Sequence, residues 1–189
     1  MQTASSSKSP SHRWKYDVFL SFRGEDTRKN FIDHLCTAFN QKGLRVFRDD
    51  KELEKGKPIS PELNHAIKES RFVIVVFSRQ YASSTWCLDE LVQIVRCKNI
   101  KFFPVFYNGD PSVATKQKGE FEKAFVRHEE TFREDTRKVQ TWRNALTKVA
   151  NHSGFDLNDG YVTIISSFFY SGKLSYQMNY ENDIHDLIV

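Results

Sequence analysis

Residues 72–77 form an unbroken apolar run, Phe-Val-Ile-Val-Val-Phe. Because no polar residue alternates with the apolar ones, both faces of the strand that this run predicts must be covered. Strands of this kind belong to parallel sheets with helices packed on each side. The run is also far too short to cross a membrane as a helix, so it predicts a buried strand and not a membrane span.

Three further strands are predicted from β-branched and aromatic residues at 16–22, 44–48 and 101–107. A stretch with helical periodicity follows each predicted strand, and this alternation predicts a parallel sheet with helices on both faces. Ligands on such sheets bind beyond the carboxyl ends of the strands. The segments at that edge are residues 23–26, 49–57, 78–86 and 108–112.

The helix boundaries are marked by residues that suit them. Asp26 or Thr27 is expected to cap the first helix, and Gly43 to end it. Ser60 followed by Pro61 indicates the start of the next helix.

The helix that follows the buried strand carries the strongest candidate for chemistry. Ser84 or Thr85 can cap it, and Trp86 and Glu90 lie on one face, one turn apart. Taken alone, this pair is ordinarily a surface glutamate beside a half-buried tryptophan. The alternative is a carboxylate and an aromatic ring at the mouth of a ligand site. The buried stripe of the same helix is Leu88, Leu91, Val92 and Val95.

Composition and missing motifs narrow the function classes. The 189 residues carry a net charge of +4 with both signs interspersed, which does not favour a nucleic-acid-binding stripe. Three cysteines without a C-x-x-C pair predict reduced thiols and neither a disulfide framework nor a zinc site. Phosphate-binding and dinucleotide-binding glycine motifs are absent, and Ser78 stands where a response-regulator receiver needs its phospho-accepting aspartate.

Four stretches of sequence carry a resemblance to a known family. They are YDVFLSFRGEDTR at 16–28, GLRVFRDD at 43–50, GKPIS at 56–60 and SRQYASSTWCLDEL at 78–91. They resemble a plant Toll/interleukin-1 receptor (TIR) domain of the intracellular immune-receptor type over residues 14–156. The resemblance implies a flavodoxin-like, three-layer α/β fold with a five-stranded parallel sheet and helices on both faces.

The same resemblance implies an activity. Plant members cleave NAD⁺ at the nicotinamide–ribose bond when TIR domains associate, as NAD⁺ glycohydrolases or ADP-ribosyl cyclases, in innate immunity and cell death. NAD⁺ is then a substrate, no cofactor or metal is expected, and NADP⁺ and nucleic acid stay open as further substrates. The alternative is a non-catalytic module that signals by TIR–TIR contact alone. The expected compartment is the cytoplasm, with the nucleus open.

Residue roles follow from matching positions. The catalytic glutamate of the family maps onto Glu90. The chemistry agrees, because nicotinamide leaves NAD⁺ as a neutral group, so one carboxylate that stabilises the developing ribose cation is sufficient. The predicted substrate-binding residues are Arg23, Gly24, Asp49, Lys57, Ile59, Ser84 and Trp86.

The sequence also leads to expectations about self-association and about the two ends of the chain. Related receptors pair through their first and last helices and often carry Ser-His in the first, where this chain has Asp33-His34. Lys148 and Gly154 are the other predicted association residues. Residues 1–13 are expected to be disordered, and residues 157–189 to form an atypical C-terminal extension with an insertion. The chain is thus expected to be an isolated TIR domain or a TIR-only protein, without a membrane segment.

Overall fold

A computed structural model describes residues 14–48, 60–98 and 100–156. Five parallel strands form one sheet in the order β2-β1-β3-β4-β5. The strands are β1 (Tyr16–Phe22), β2 (Val46–Arg48), β3 (Ser70–Phe77), β4 (Lys101–Phe106) and β5 (Phe155–Asp156). The four strands expected from residue pattern are confirmed, and the fifth, implied by the resemblance, is present.

Helical segments occupy the connections between the strands. They are α1 (Gly24–Thr27), a π-turn (Arg28–Ile32), α2 (Asp33–Gln41), α3 (Pro61–Lys68), a 3₁₀ turn (Tyr81–Ser83), α4 (Thr85–Arg96), α5 (Pro111–Thr115), α6 (Glu120–Thr131) and α7 (Thr136–Ala150).

Alternate residues of the central strands point into two separate cores. Val18 and Ile74 pack with the π-turn and α2 on one side of the sheet, which we call the α2 face. Phe19 and Val75 pack with α3 to α7 on the other side, the α4 face. Helices therefore cover both faces, and the expected three-layer arrangement is confirmed.

Of the helix boundaries predicted before β3, those at Gly43 and Ser60 are confirmed and the first one is not. Gly43 adopts a φ of 72° just after α2, a conformation that glycine takes without steric cost. The Ser60 hydroxyl accepts a hydrogen bond from the Leu63 amide at 3.2 Å and caps α3. The expected cap at Asp26 or Thr27 is wrong, because the first helix already begins at Gly24. Thr27 donates instead to the Arg23 carbonyl oxygen, and Asp26 accepts from Ser78.

His128 on α6 is buried against the 3₁₀ turn that precedes α4. Its Nε2 lies 2.8 Å from the carbonyl oxygen of Ala82, and its ring contacts Phe132 and Trp142. A carbonyl only accepts, so Nε2 carries the proton and donates. Burial is the main cause that lowers the pKa of His128 below its ordinary value, since a charged ring would be desolvated there.

We expect this lowered pKa to make the fold less stable in acid. The unfolded chain binds the proton near pH 6.5, whereas the folded chain binds it only at lower pH. The contribution of neutral His128 to the free energy of unfolding is therefore fully present above that pH. It is lost as the pH falls towards the pKa of His128 in the folded chain. Urea unfolding at pH 7.5 and 5.5 measures the loss, and His128→Gln is the control. Equal losses in wild type and variant would contradict this account.

Candidate active site at the carboxyl edge of the sheet

Helix α4 begins where the sequence places it. The Ser84 hydroxyl accepts a hydrogen bond from the Cys87 amide at 3.3 Å, so Ser84 and not Thr85 is the cap. Ser84 was also a predicted substrate-binding residue, and it lies beside Trp86 in the first turn. Leu88 and Leu91 are fully buried, as the predicted stripe requires.

The Glu90 carboxylate is buried, with only 4% of the residue exposed. The ordinary interpretation of a surface glutamate is therefore wrong for this chain. Trp86 is half-buried and packs against the core of the α4 face, one turn before Glu90. Burying a carboxylate costs free energy, so such groups concentrate where a site uses their charge.

A buried tyrosine lies in the 3₁₀ turn that precedes the same helix. Tyr81 is fully buried, its hydroxyl lies 2.9 Å from the hydroxyl of Ser21, and it donates to the carbonyl oxygen of Cys87 at 3.3 Å. Burial is the main cause that raises the pKa of Tyr81, and the nearby Glu90 carboxylate raises it further. The phenol is therefore a neutral donor throughout the working pH range.

Arg23 and Gly24 follow directly on β1. The Arg23 guanidinium donates to Asp26 at 2.7 Å and also to Glu25, and the side chain is one-fifth exposed. Gly24 is the first residue of α1. The arginine is thus held at the edge of the sheet by two carboxylates.

Asp26 is a site residue that the sequence analysis missed. One of its oxygens accepts from Arg23, and the other accepts from the Ser78 hydroxyl at 2.5 Å and from the Gln80 amide at 3.1 Å. It joins the segment after β1 to the segment after β3. The signal in the sequence was its place in one of the four edge segments, where we considered it only as a cap.

A cleft of about 200 Å³ lies at the carboxyl ends of β3 and β4. Phe77, Phe106 and Phe121 are among the residues that line it. Asp110 caps α5 at this edge by accepting a hydrogen bond from the Ser112 amide at 2.7 Å. That hydrogen bond lowers the pKa of the Asp110 carboxyl below its ordinary value.

The other predicted substrate-binding residues are Asp49, Lys57 and Ile59, and they lie outside the described residues. Within the described ranges, no group of histidine, cysteine and acidic side chains is arranged to hold a metal ion. The helices of those ranges include none long and apolar enough to cross a membrane.

The predicted association residues fall on two different sides of the molecule. Asp33 and His34 are exposed on α2, and Asp33 forms an ion pair with Arg48 at 2.5 Å beside a groove of about 370 Å³. Lys148 is exposed on α7, which packs on the α4 face. The described part of the chain therefore does not bring α2 and Lys148 to one surface.

Gly154 lies just before β5, where the backbone passes very close to β4. A Cβ atom at this position would lie 2.5 Å from the carbonyl oxygen of Pro104 and 3.2 Å from the ring of Phe106. Real Cβ atoms do not approach a backbone oxygen so closely. Close packing against β4 is therefore enough to explain a glycine at this position, without any role in association.

We expect Gly154→Ala to lower the free energy of unfolding by about 1–3 kcal/mol, because β4 or β5 must shift to admit the methyl group. Urea unfolding measures the change. The control is Gly109→Ala, whose added Cβ would meet its nearest atom at 3.9 Å. If Gly154→Ala kept full stability but weakened self-association, the glycine would act in association, as the sequence analysis predicted.

Comparisons with known proteins show to which family the chain belongs. The model of the TIR domain family matches residues 15–165, and so reaches nine residues into the predicted extension. The TMV resistance protein N of Nicotiana glutinosa is 53% identical over 152 residues, which cover 78% of this chain and 13% of that protein. The disease resistance protein RPS6 of Arabidopsis thaliana is 46% identical over 160 residues, which cover 82% of this chain and 14% of that protein.

Solved structures give the same result. The TIR domains of the activated Roq1 resistosome, which directly recognizes the pathogen effector XopQ, match with a TM-score of 0.75 and 52% identity. That match covers 83% of this chain and 99% of the Roq1 chain. The TIR domain of the Toll-related receptor TRR-2 from Hydra magnipapillata, at 16% identity and a TM-score of 0.51, supports the fold alone.

The chain spans only 13–14% of the length of these curated resistance proteins. Over the matched residues, the strand order, the four sequence stretches and the family model all indicate the same family. The chain belongs to the TIR domain family, and disease resistance proteins of plants are among its relatives.

Proposed function

We propose that this chain is an NAD⁺ nucleosidase that cleaves the nicotinamide–ribose bond on self-association and makes signalling nucleotides in plant innate immunity. The observation that carries the proposal is the buried Glu90, one turn after Trp86 on the helix that begins at the carboxyl edge of the sheet, where ligands of α/β folds bind. Membership of the TIR family supports it, as does the likeness to resistance proteins.

The proposed role of Glu90 is electrostatic. Nicotinamide is positively charged in NAD⁺ and leaves as a neutral molecule, so its departure needs no proton. Positive charge then develops on the ribose, and a carboxylate beside it stabilises the transition state more than the ground state. Burial strengthens this interaction, because the effective dielectric constant around Glu90 is lower than that of water.

Arg23 is proposed to bind the diphosphate of the substrate. Its guanidinium is already bound to Glu25 and Asp26. Glu25 is exposed, whereas Asp26 has two further donors that hold it in place. A diphosphate therefore replaces Glu25 more easily than Asp26, and Asp26 keeps Arg23 at the site. Gly24, Ser84 and Trp86 would line the same edge, with Trp86 stacking on a ring of the substrate.

The remaining details stay proposals. Asp49, Lys57 and Ile59 would contribute from the segment between β2 and α3. NAD⁺ is the proposed substrate, and NADP⁺ and nucleic acid are further candidates. The proposed compartment is the cytoplasm, with the nucleus as a second one, because the free cysteines suit a reducing environment.

A second candidate function is a non-catalytic module that signals through TIR–TIR contact. The likeness to the TIR domains of a resistosome favours assembly under either function. The discriminating experiment is to incubate concentrated protein with NAD⁺ and to separate the products by chromatography. We expect free nicotinamide, released at a rate that rises more steeply than the protein concentration. No release at any concentration at which the protein assembles would leave the contact module as the function.

His34→Ala is expected to weaken self-association about tenfold, with nicotinamide release falling in parallel at limiting protein concentration. The reason is that His34 is exposed on α2, beside the Asp33–Arg48 ion pair. Sedimentation and product analysis on the same samples measure both effects. Glu130→Ala, at an exposed position of α6, is the control. Full activity in a strictly monomeric His34→Ala protein would contradict the coupling between association and activity.

A further inference from the structure

The end of β1 and the start of α4 are joined through one buried hydroxyl group. Ser21 is the last residue but one of β1, and its Oγ lies 2.9 Å from Oη of Tyr81. Tyr81 begins the 3₁₀ turn, and its Oη lies 3.3 Å from the carbonyl oxygen of Cys87 in the first turn of α4. Ser21 and Tyr81 are both fully buried.

The direction of these hydrogen bonds follows from the chemistry of the groups. The Cys87 carbonyl can only accept, so Tyr81 donates its proton to that carbonyl. Tyr81 then has lone pairs left, and Ser21 donates to it. A separate contact joins the same elements, because the Cys87 thiol lies 3.7 Å from the carbonyl oxygen of Phe22.

The two ends of this linkage lie next to the two parts of the candidate site. Arg23 and Gly24 follow directly after Ser21 and Phe22. Glu90 lies three residues after Cys87 on the same helix. The linkage therefore fixes the position of the Glu90 helix relative to the segment that we propose to hold the diphosphate.

Packing alone does not account for the hydroxyl. The Tyr81 ring is held by Phe77, with ring centroids 5.1 Å apart in an edge-to-face arrangement. A phenylalanine would fill the same space around the ring. Burying a hydroxyl costs free energy that its hydrogen bonds only just offset, so the group adds definition of position more than stability.

We propose that the Tyr81 hydroxyl, held by Ser21, is a positioning group that sets the distance between the Glu90 carboxylate and the Arg23–Gly24 segment. This inference rests on the proposed function and assigns it two residues that do not touch the substrate. Catalytic geometry is sensitive at this scale, since a misplacement of about 1 Å costs about a hundredfold in rate.

The test compares Tyr81→Phe with wild type in steady-state kinetics of nicotinamide release. Because the Glu90 carboxylate acts mainly in the transition state, we expect kcat to fall about ten- to a hundredfold while KM for NAD⁺ stays within about twofold. The control is Tyr16→Phe, which removes a hydroxyl from a half-buried tyrosine at the opposite, amino end of β1. It is expected to keep both constants.

A second pair of variants separates positioning from general loosening of the fold. Ser21→Ala is expected to lower kcat in the same direction as Tyr81→Phe. Since the two hydroxyls act in series, the double variant should lose no more than Tyr81→Phe alone. Sedimentation at the assay concentration checks that all variants assemble equally.

The outcomes are distinguishable. A wild-type protein that assembles but releases no nicotinamide overturns the proposed function and this inference with it. An active wild type together with Tyr81→Phe at the parent kcat overturns the positioning role alone. The same holds if the single losses multiply in the double variant, or if KM rises while kcat is kept.

Discussion

The Glu90→Gln variant is expected to release nicotinamide about a thousandfold more slowly than the wild type, which corresponds to about 4 kcal/mol of transition-state stabilisation. Glutamine has nearly the same shape, so the buried position stays filled and the helix stays packed. What is removed is the negative charge that we propose to lie beside the developing ribose cation. Product analysis at matched assembly measures the rate.

The neighbouring carboxylate provides a matched control. Asp89 lies on the same helix, but it accepts a hydrogen bond from the indole N–H of Trp142 at 2.7 Å and thus faces α7. Asp89→Asn keeps an oxygen acceptor for that bond, so we expect its nicotinamide release to stay within about twofold of wild type. If Glu90→Gln kept the parent rate, or if Asp89→Asn lost as much as Glu90→Gln, Glu90 would not be the catalytic carboxylate.

Trp142→Ala is expected to lower the free energy of unfolding by about 3–5 kcal/mol, which is a large part of the total for a domain of this size. Trp142 is 1% exposed and is among the largest fully buried side chains of the described residues. Its ring contacts Phe132 and His128 edge to face, and its N–H is bound to Asp89. The variant loses the packing and removes the N–H donor from the partly exposed Asp89 carboxylate, so most of the loss comes from the packing.

Urea unfolding measures this loss, and the melting temperature should fall by about 6–20 °C. Trp142→Phe keeps most of the packing and should lose less than Trp142→Ala. Val126→Ala, at an exposed position of α6, should change the free energy by less than about 0.5 kcal/mol. A Trp142→Ala protein that unfolds within about 1 kcal/mol of wild type would contradict the role given to this contact.

The strands and most helix ends were predictable because their signals are local. The uniform apolar run at 72–77 specified a strand covered on both faces, and Ser60 and Gly43 marked helix ends through their own chemistry. The two-residue β5 was not predictable from pattern, since two residues show no alternation and their partner, β4, lies far away in sequence.

The candidate site was predictable in position but not in its interactions. The spacing of Trp86 and Glu90 could not reveal that Glu90 is buried, because that depends on the elements that surround α4. Asp26 was missed for the same reason, since its partners Ser78 and Gln80 are more than fifty residues away. The family resemblance identified the candidate residues, but their hydrogen-bond partners could be found only in the folded structure.

The strand order has a consequence for synthesis. β1 lies between β2 and β3, and its main register partner runs from Ser70 to Val76, whereas β2 offers it only three residues. A growing polypeptide therefore carries Phe19 and Leu20 for more than fifty residues before the strand that shields them has emerged from the ribosome. A chain that ends before β3 would leave β1 with only the three-residue β2 as a partner and one edge unpaired, so we expect such a product to aggregate instead of folding.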